Sequence, residues 1–144
     1  MVIRHTKGHI LLVEDQPLLA ANIKHLLNNA GYKVTLCEDA RHVPTVLAYR
    51  KDIDLLLTDN DAPYDADAGA KLAQSNVARH LPVILWSGDN GFLEKTYPPN
   101  VKCVWKKTYG MQRGEPFIEP RNRGAFLELI ASMMPERSSA PERP

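Results

Sequence analysis

Residues 10–15 read Ile-Leu-Leu-Val-Glu-Asp, a short continuous apolar run that ends in two carboxylates. Apolar runs of this length are typical of strands that helices cover on both faces, as in parallel sheets. Comparable runs follow at 34–37, 53–57, 83–86 and 101–105. We therefore expect five buried strands in one parallel sheet.

Apolar residues at helical spacing separate these runs. The first helix is predicted from Leu19, Ile23 and Leu27, with Pro17 suited to its first position and Gly31 to its end. Further patterns predict helices around 43–47, over 69–79, within 90–97 and around 126–133. This alternation predicts an α/β fold: a flavodoxin-like, doubly wound five-stranded parallel sheet in the order 2-1-3-4-5, with helices on both faces.

The chain has 144 residues, 44% hydrophobic and 24% charged, with a net charge of +1. This composition suits one globular domain, expected over residues 8–134 with an inserted loop at about 110–120. Residues 135–144 are polar and proline-rich, and we expect a disordered tail. Near-zero charge argues against nucleic acid or membrane partners, and no signal-peptide core or membrane span is visible, so we expect a cytoplasmic protein.

Two cysteines, Cys37 and Cys103, fall on opposite edge strands of the predicted sheet. Neighbouring strands are about 4.8 Å apart, so the two thiols would be much further apart than a disulfide allows. We expect two ordinary buried thiols.

Acidic residues follow the strands at the edge of the sheet where ligands bind in open α/β folds. Glu14 and Asp15 close the first strand, Asp59 closes the third, and Asp61 lies just beyond it. Carboxylates about 5 Å apart repel by about 3 kcal/mol per pair at an effective dielectric near 20. A hard cation such as Mg²⁺ (or Mn²⁺), which prefers oxygen ligands, would relieve that repulsion.

A lysine after the fifth strand and a hydroxyl after the fourth complete the pattern. Lys107 could supply a fixed positive charge, and Ser87 could bond a bound oxyanion. Each residue also has a simpler interpretation: Asp15 or Gln16 could cap the first helix, and Ser87 could belong to an ordinary turn. The combination in the right order is what favours a site.

Five segments in order resemble the response-regulator receiver family of two-component signalling, in its single-domain form, over residues 8–109. They are Ile10 to Asp15, Asp54 to Asp59 with Pro63, Asp67 to Leu72, Leu81 to Gly88 and Trp105 to Lys107. The resemblance implies that Asp59 accepts a phosphoryl group from a phosphohistidine on a sensor histidine kinase or histidine phosphotransfer protein. Such a domain catalyses only its own phosphorylation and dephosphorylation and acts on a downstream protein by contact, so we do not expect an enzyme.

The resemblance also assigns roles at the site. Asp15, Asp59 and the backbone carbonyl of Asp61 would bind Mg²⁺, with Glu14 acting nearby or through water. The lysine would neutralise charge on the transferring group, and Ser87 would then turn toward the phosphoryl oxygens. Lys106 competes with Lys107 for this role; we favour Lys107 because that choice puts Trp105 at the family's buried position.

The chain departs from the family's pattern at positions near the expected output surface. With Lys107 as the lysine, Thr108 stands where the family has proline and Val104 where it has an aromatic switch residue. The fourth helix is short, and the 110–120 loop is inserted. A receiver-like module that binds a partner without phosphate cycling is therefore an alternative, and a small flavodoxin-like enzyme or ligand-binding protein is another. The absence of a glycine-rich phosphate loop argues against the last.

Overall fold

The computed structural model describes residues 7–62, 64–75, 80–88, 91–111 and 116–135, with only the backbone of Phe92. Its sheet contains β1 (His9–Val13), β2 (Lys33–Cys37), β3 (Leu55–Asp59), β4 (Val83–Ser87) and β5 (Val101–Trp105). Every neighbouring pair is parallel, and the order is β2-β1-β3-β4-β5. The predicted flavodoxin-like topology is confirmed.

Helices cover both faces of the sheet. They are α1 (Pro17–Asn29), α2 (Val43–Tyr49), α3 (Ala68–Gln74) and α4 (Arg123–Met133). Pro17 occupies the start of α1 as predicted, because its missing N–H is not needed there. Gly31 follows the end of α1 with φ of 102°, a conformation that favours glycine.

The core has two parts, one on each face of the sheet. Side chains from β1 alternate between them, since successive residues of a strand point to opposite faces. Ile10 and Leu12 pack with residues of α1 and α4, including Phe126. Leu11 and Val13 pack with residues of α2 and α3. The central strands β1, β3 and β4 are buried along their whole length, which explains their continuous apolar sequence.

Two predicted helices are shorter than expected. The third ends at Gln74, because Ser75 is extended and its hydroxyl donates a hydrogen bond to the Leu72 carbonyl at 2.6 Å. In place of a fourth helix over 90–97 the structure has a single 3₁₀ turn, Gly91–Glu94. The remaining parts of these predictions lie outside the described part of the chain. They are residues 76–79 of the third helix, residue 90 of the fourth, residues 112–115 of the inserted loop, and the tail over 136–144.

Both cysteines are free thiols on the two edge strands, as expected; Cys37 is buried, but Cys103 is only partly buried, against the expectation. Within the described residues, every helix is too short or too polar to cross a membrane.

Candidate functional site

The carboxyl ends of the strands bring the acidic residues together at one edge of the sheet. Glu14 and Asp15 follow β1, while Asp59 ends β3. One carboxylate oxygen from each of these three residues lies within 4.8 Å of the others. Glu14 and Asp59 are buried, whereas Asp15 is exposed. The sequence therefore located the acidic cluster correctly.

Lys106 supplies the positive charge at this cluster. Its ammonium Nζ lies 3.1 Å from Glu14 Oε1 and 3.2 Å from Asp59 Oδ1. Only 9% of the Lys106 side chain is exposed. Lys107 is exposed and places its ammonium 5.1 Å from the centre of the Trp105 ring. The expectation that Lys107 faces the carboxylates is wrong by one residue.

Strand alternation explains why Lys106 points inward. Val104 faces the core beside α4 and is 8% exposed, and Lys106 follows two residues later on the same face. Its ammonium passes 5.3 Å from the centre of the Trp86 ring, which is fully buried. The inward parity of Val104 was the sequence signal that could have identified Lys106.

This shift of one residue changes two other assignments. The residue after the site lysine is Lys107, not Thr108, and the residue three positions before it is Cys103, not Val104. Lys107 therefore stands where the family has proline, and Cys103 stands where the family has an aromatic residue. Among the described residues all peptide bonds are trans, including the bond that follows Lys106.

Burial and mutual repulsion shift the charge states of the cluster. Burial raises the pKa of Glu14 to about 7; Lys106 opposes this rise and Asp59 adds to it. Burial likewise raises the pKa of Asp59 against the influence of Lys106, with further increases from Asp61 and Asp15. Burial disfavours the ammonium of Lys106, but Asp59 and Glu14 outweigh it and raise the pKa of that lysine. Two buried carboxylates, Glu14 and Asp59, thus share one lysine, and burial favours the protonated form of each.

The oxygen-rich donor set suits a hard divalent cation. Asp15 and Asp59 supply two carboxylates, which is the number Mg²⁺ commonly takes from a protein. Glu14 is already occupied, because its second oxygen accepts a hydrogen bond from the Gln16 backbone N–H at 3.3 Å. The residues present therefore fit a metal held mainly by Asp15 and Asp59, with Glu14 and Lys106 beside it.

Ser87 lies at the same edge. Its side chain is fully buried, and its hydroxyl donates a hydrogen bond to Asp61 Oδ2 at 3.1 Å. The structure thus brings the predicted hydroxyl next to the acidic loop that follows Asp59. Of the two residues that could have capped α1, Gln16 occupies the cap position, but its side chain makes no capping bond.

Helix α3 holds the backbone that follows Asp59. A Cβ at Gly69 would lie 2.1 Å from the Asp59 carbonyl oxygen and 2.7 Å from Asn60 Cα, so only glycine allows this approach. The Gly69 N–H donates to the Asn60 carbonyl at 3.0 Å, and the Ala70 N–H donates to Asn60 Oδ1 at 2.9 Å. Asn60 was not predicted as a site residue, although its position next to Asp59 could have suggested it.

Fold and site together define an open parallel α/β domain with an acidic, lysine-paired site at its carboxyl edge. No protein-family model matches the chain. Over 81 residues, 56% of its length, the chain is 33% identical to the two-component response regulator ARR11 of Arabidopsis thaliana, and it spans 15% of that protein's length. Over 82 residues it is 32% identical to the two-component response regulator ORR21 of rice, and it spans 12% of that protein.

Solved structures show the same architecture. The receiver domain of the hybrid histidine kinase CckA has a TM-score of 0.61 at 22% identity, with 88% of this chain and 98% of that one covered. The response regulator TrrA of Thermotoga maritima, solved with Mg²⁺-BeF, has a TM-score of 0.64 at 14% identity, with 88% and 99% covered. The chain is thus similar in sequence to two-component response regulators and has the fold of their receiver domains, as the sequence resemblance indicated.

Proposed function

We propose that this chain is a phospho-accepting receiver domain, with Asp59 as the acceptor. The observation that carries the proposal is the placement of the Lys106 ammonium between Asp59 and Glu14. A carboxylate oxygen of Asp15 lies within 4.8 Å of an oxygen of each of these two residues. A nucleophilic carboxylate, a fixed cation and a second carboxylate for a metal are the parts that phosphoryl transfer needs.

The phosphoryl donor is a phosphohistidine on a sensor kinase or a histidine phosphotransfer protein. An oxygen of the Asp59 carboxylate attacks phosphorus, the phosphorus–nitrogen bond breaks, and the imidazole leaves with the bonding electron pair. The product is an acyl phosphate on Asp59. Lys106 hydrogen-bonds one oxygen of Asp59, which orients the other for attack and offsets the charge that gathers on the transferred group.

Asp15, Asp59 and the backbone carbonyl of Asp61 would hold Mg²⁺ or Mn²⁺. When bound, the metal supplies positive charge to the oxygens of the transferring group. Asp15 is exposed, so it remains open to a cation from solvent, while Glu14 is buried against Lys106. This division of roles agrees with the different environments of the two adjacent carboxylates.

Ser87 would report the new state. Its hydroxyl now donates to Asp61, and a phosphoryl group on Asp59 would offer a stronger, doubly charged acceptor. Turning toward that group would shift the end of β4, and a partner protein would read the altered surface by contact. The domain turns over no separate substrate in this proposal.

Acetyl phosphate with Mg²⁺ tests the chemistry directly. Intact-mass measurement should show one added phosphoryl group that hydroxylamine removes, and Asp59→Asn should remain unmodified. Lys106→Ala should slow the modification strongly, whereas Lys107→Ala should leave its rate within about twofold, because its charge lies outside the site.

An unmodified wild-type protein that also fails to bind beryllium fluoride would contradict the proposal. In that case the chain would act as a receiver-like module that binds its partner without phosphate cycling. The observed cluster of Glu14, Asp15, Asp59 and Lys106 favours the phosphate-dependent function, since burial of two carboxylates around one lysine is costly and such arrangements concentrate at functional sites.

A further inference from the structure

The loop that follows Asp59 carries Asp61, whose carbonyl is a metal ligand in the proposed function. One side of this loop is held by α3 through Asn60 and Gly69. The opposite side turns back on itself, with reciprocal backbone hydrogen bonds between Ala62 and Asp65 at 3.0 and 3.1 Å. Tyr64 lies in this turn and is 41% exposed. Lys71 of α3 holds Asp65 at the end of this turn, with an Nζ–Oδ2 distance of 2.6 Å, so a contact on Tyr64 would hold the turn from the side away from α3.

Arg41 provides that contact from the segment after β2. Its guanidinium carbon lies 3.8 Å from the centre of the Tyr64 ring, close enough for a cation–π interaction. The guanidinium is itself held by Asp39, with Nε–Oδ1, Nε–Oδ2 and Nη2–Oδ2 distances of 3.0, 3.1 and 2.7 Å. Because Asp39 also accepts the Arg41 backbone N–H at 2.9 Å, the arginine is oriented by its own turn before it meets Tyr64.

The two segments joined by this contact form the walls of the acidic pocket. Glu38 and Ala40 line it on one side, and Asp61 and Ala62 line it on the other, with Asp15 and Asp59 between them. The pocket is small, with a cavity volume of about 10 Å³. A change in the separation of the two walls would move Asp61 relative to Asp59.

We propose that Arg41 and Tyr64 form a latch that positions the Asp61 loop and so preorganises the metal pocket. Neither residue touches the metal; both are positioning residues. The inference rests on the proposed function, because it presumes that the pocket takes Mg²⁺. Loss of the latch leaves the loop held by Ser87 and α3 but gives it more freedom, and the Mg²⁺ binding free energy must then offset its reordering.

Titration of metal-free protein with MgCl₂ by isothermal calorimetry measures the effect. Arg41→Ala and Tyr64→Ala should each weaken Mg²⁺ binding about two- to fivefold, the range expected for one exposed cation–π contact. The double variant should be no weaker than either single variant, because both remove the same contact. Tyr64→Phe keeps the ring and should retain most of the affinity.

Matched controls separate this effect from a general loss of structure. Arg121 pairs with Glu119 at 2.7 Å in an exposed turn outside the pocket, and Tyr49 is 84% exposed at the end of α2. Arg121→Ala and Tyr49→Ala should leave Mg²⁺ affinity unchanged. Urea unfolding in EDTA should show that the latch variants remain folded with little change in midpoint.

The outcomes distinguish this inference from the proposed function. If wild-type protein binds no Mg²⁺, the proposed metal site fails and the latch fails with it. If wild-type protein binds Mg²⁺ and the latch variants bind it equally well, the latch alone is overturned. Additive losses in the double variant, or a Tyr64→Phe protein as weak as Tyr64→Ala, would also overturn it, because the ring–guanidinium contact would not be the cause.

Discussion

Replacement of Lys106 by methionine should remove a large part of the stability of the metal-free protein. Methionine keeps an unbranched apolar chain beside the Trp86 ring, so the substitution removes the charge with little loss of packing. Lys107→Met is the matched control, since that lysine is exposed and contacts only the face of Trp105 among the described residues.

The size of the loss follows from the two contacts at 3.1 and 3.2 Å that the buried ammonium makes. Removal of one partner from a buried ion pair costs about 3–5 kcal/mol, because the remaining charge is left uncompensated. Glu14, with its pKa already raised to about 7, can take up a proton and limit the cost, so we expect about 3 kcal/mol. Loss of the Lys107 contact should cost about 0.5 kcal/mol or less.

The effect should depend on pH in a defined direction. Without Lys106, the main influence that lowers the pKa of Glu14 is lost and only the Gln16 backbone hydrogen bond remains, so the folded-state pKa moves further above its value in the unfolded chain. A carboxyl whose pKa is raised by folding binds its proton more tightly in the folded state. Its contribution to stability is therefore lost as the pH rises from the unfolded-state pKa through the folded-state pKa. The deficit of Lys106→Met should therefore be larger at pH 8 than near pH 5.

Urea unfolding in EDTA, followed by circular dichroism, gives the free energy of unfolding. With an m-value of about 2 kcal/mol/M, a loss of about 3 kcal/mol lowers the midpoint by roughly 1.5 M. Addition of Mg²⁺ should restore part of the loss, since a cation again balances the carboxylates. A Lys106→Met protein as stable as wild type, or a Lys107→Met protein that loses more, would refute the placement of Lys106.

Three further substitutions and one control test the rest of the site and the core. Gly69→Ala should destabilise the protein by about 2 kcal/mol in urea unfolding, because its Cβ would meet the Asp59 backbone, while Gly124→Ala in the open first turn of α4 should stabilise it by about 0.5–1 kcal/mol. Phe126→Ala should cost about 3–5 kcal/mol by the same assay, since the ring is fully buried and stacks on Trp86 at 5.3 Å; a smaller loss would mean that this side of the core is loosely packed. Millimolar Mg²⁺ should raise the melting temperature of wild-type protein and not that of Asp15→Asn, and equal shifts in both would exclude Asp15 as a ligand.

The sheet and the acidic cluster could be predicted because each rests on a local pattern. Continuous apolar runs gave the strands, and the rule that sites form at the carboxyl edge brought Glu14 and Asp59 together. The start of β3 was harder to predict from the sequence: Ile53 is buried, yet the strand begins at Leu55. Burial alone does not distinguish a residue in a strand from one just before it.

The site lysine depended on one weak local signal, and the loop contacts depended on information that no local pattern contains. A 3₁₀ turn begins at Lys106, so two adjacent lysines leave β5 in different directions, and only the inward parity of Val104 separates them. The Arg41–Tyr64 contact joins two loops that are distant in sequence, and Tyr64 reads as an ordinary exposed aromatic residue. Such contacts depend on how the fold brings the two segments together at the edge of the sheet.

The two parts of the core differ in how firmly they hold the sheet. On one face, α1 and α4 have thirteen and eleven residues, and the cluster beneath them contains Trp86 and Phe126. On the other, α2 and α3 have seven residues each, and α3 contributes mainly alanine and leucine. Amide hydrogen exchange should consequently be uneven, with α3 opening at a lower free energy than α1. Because α3 supports the backbone after Asp59, the protein can loosen one wall of the acidic pocket while the opposite face of the sheet stays closed.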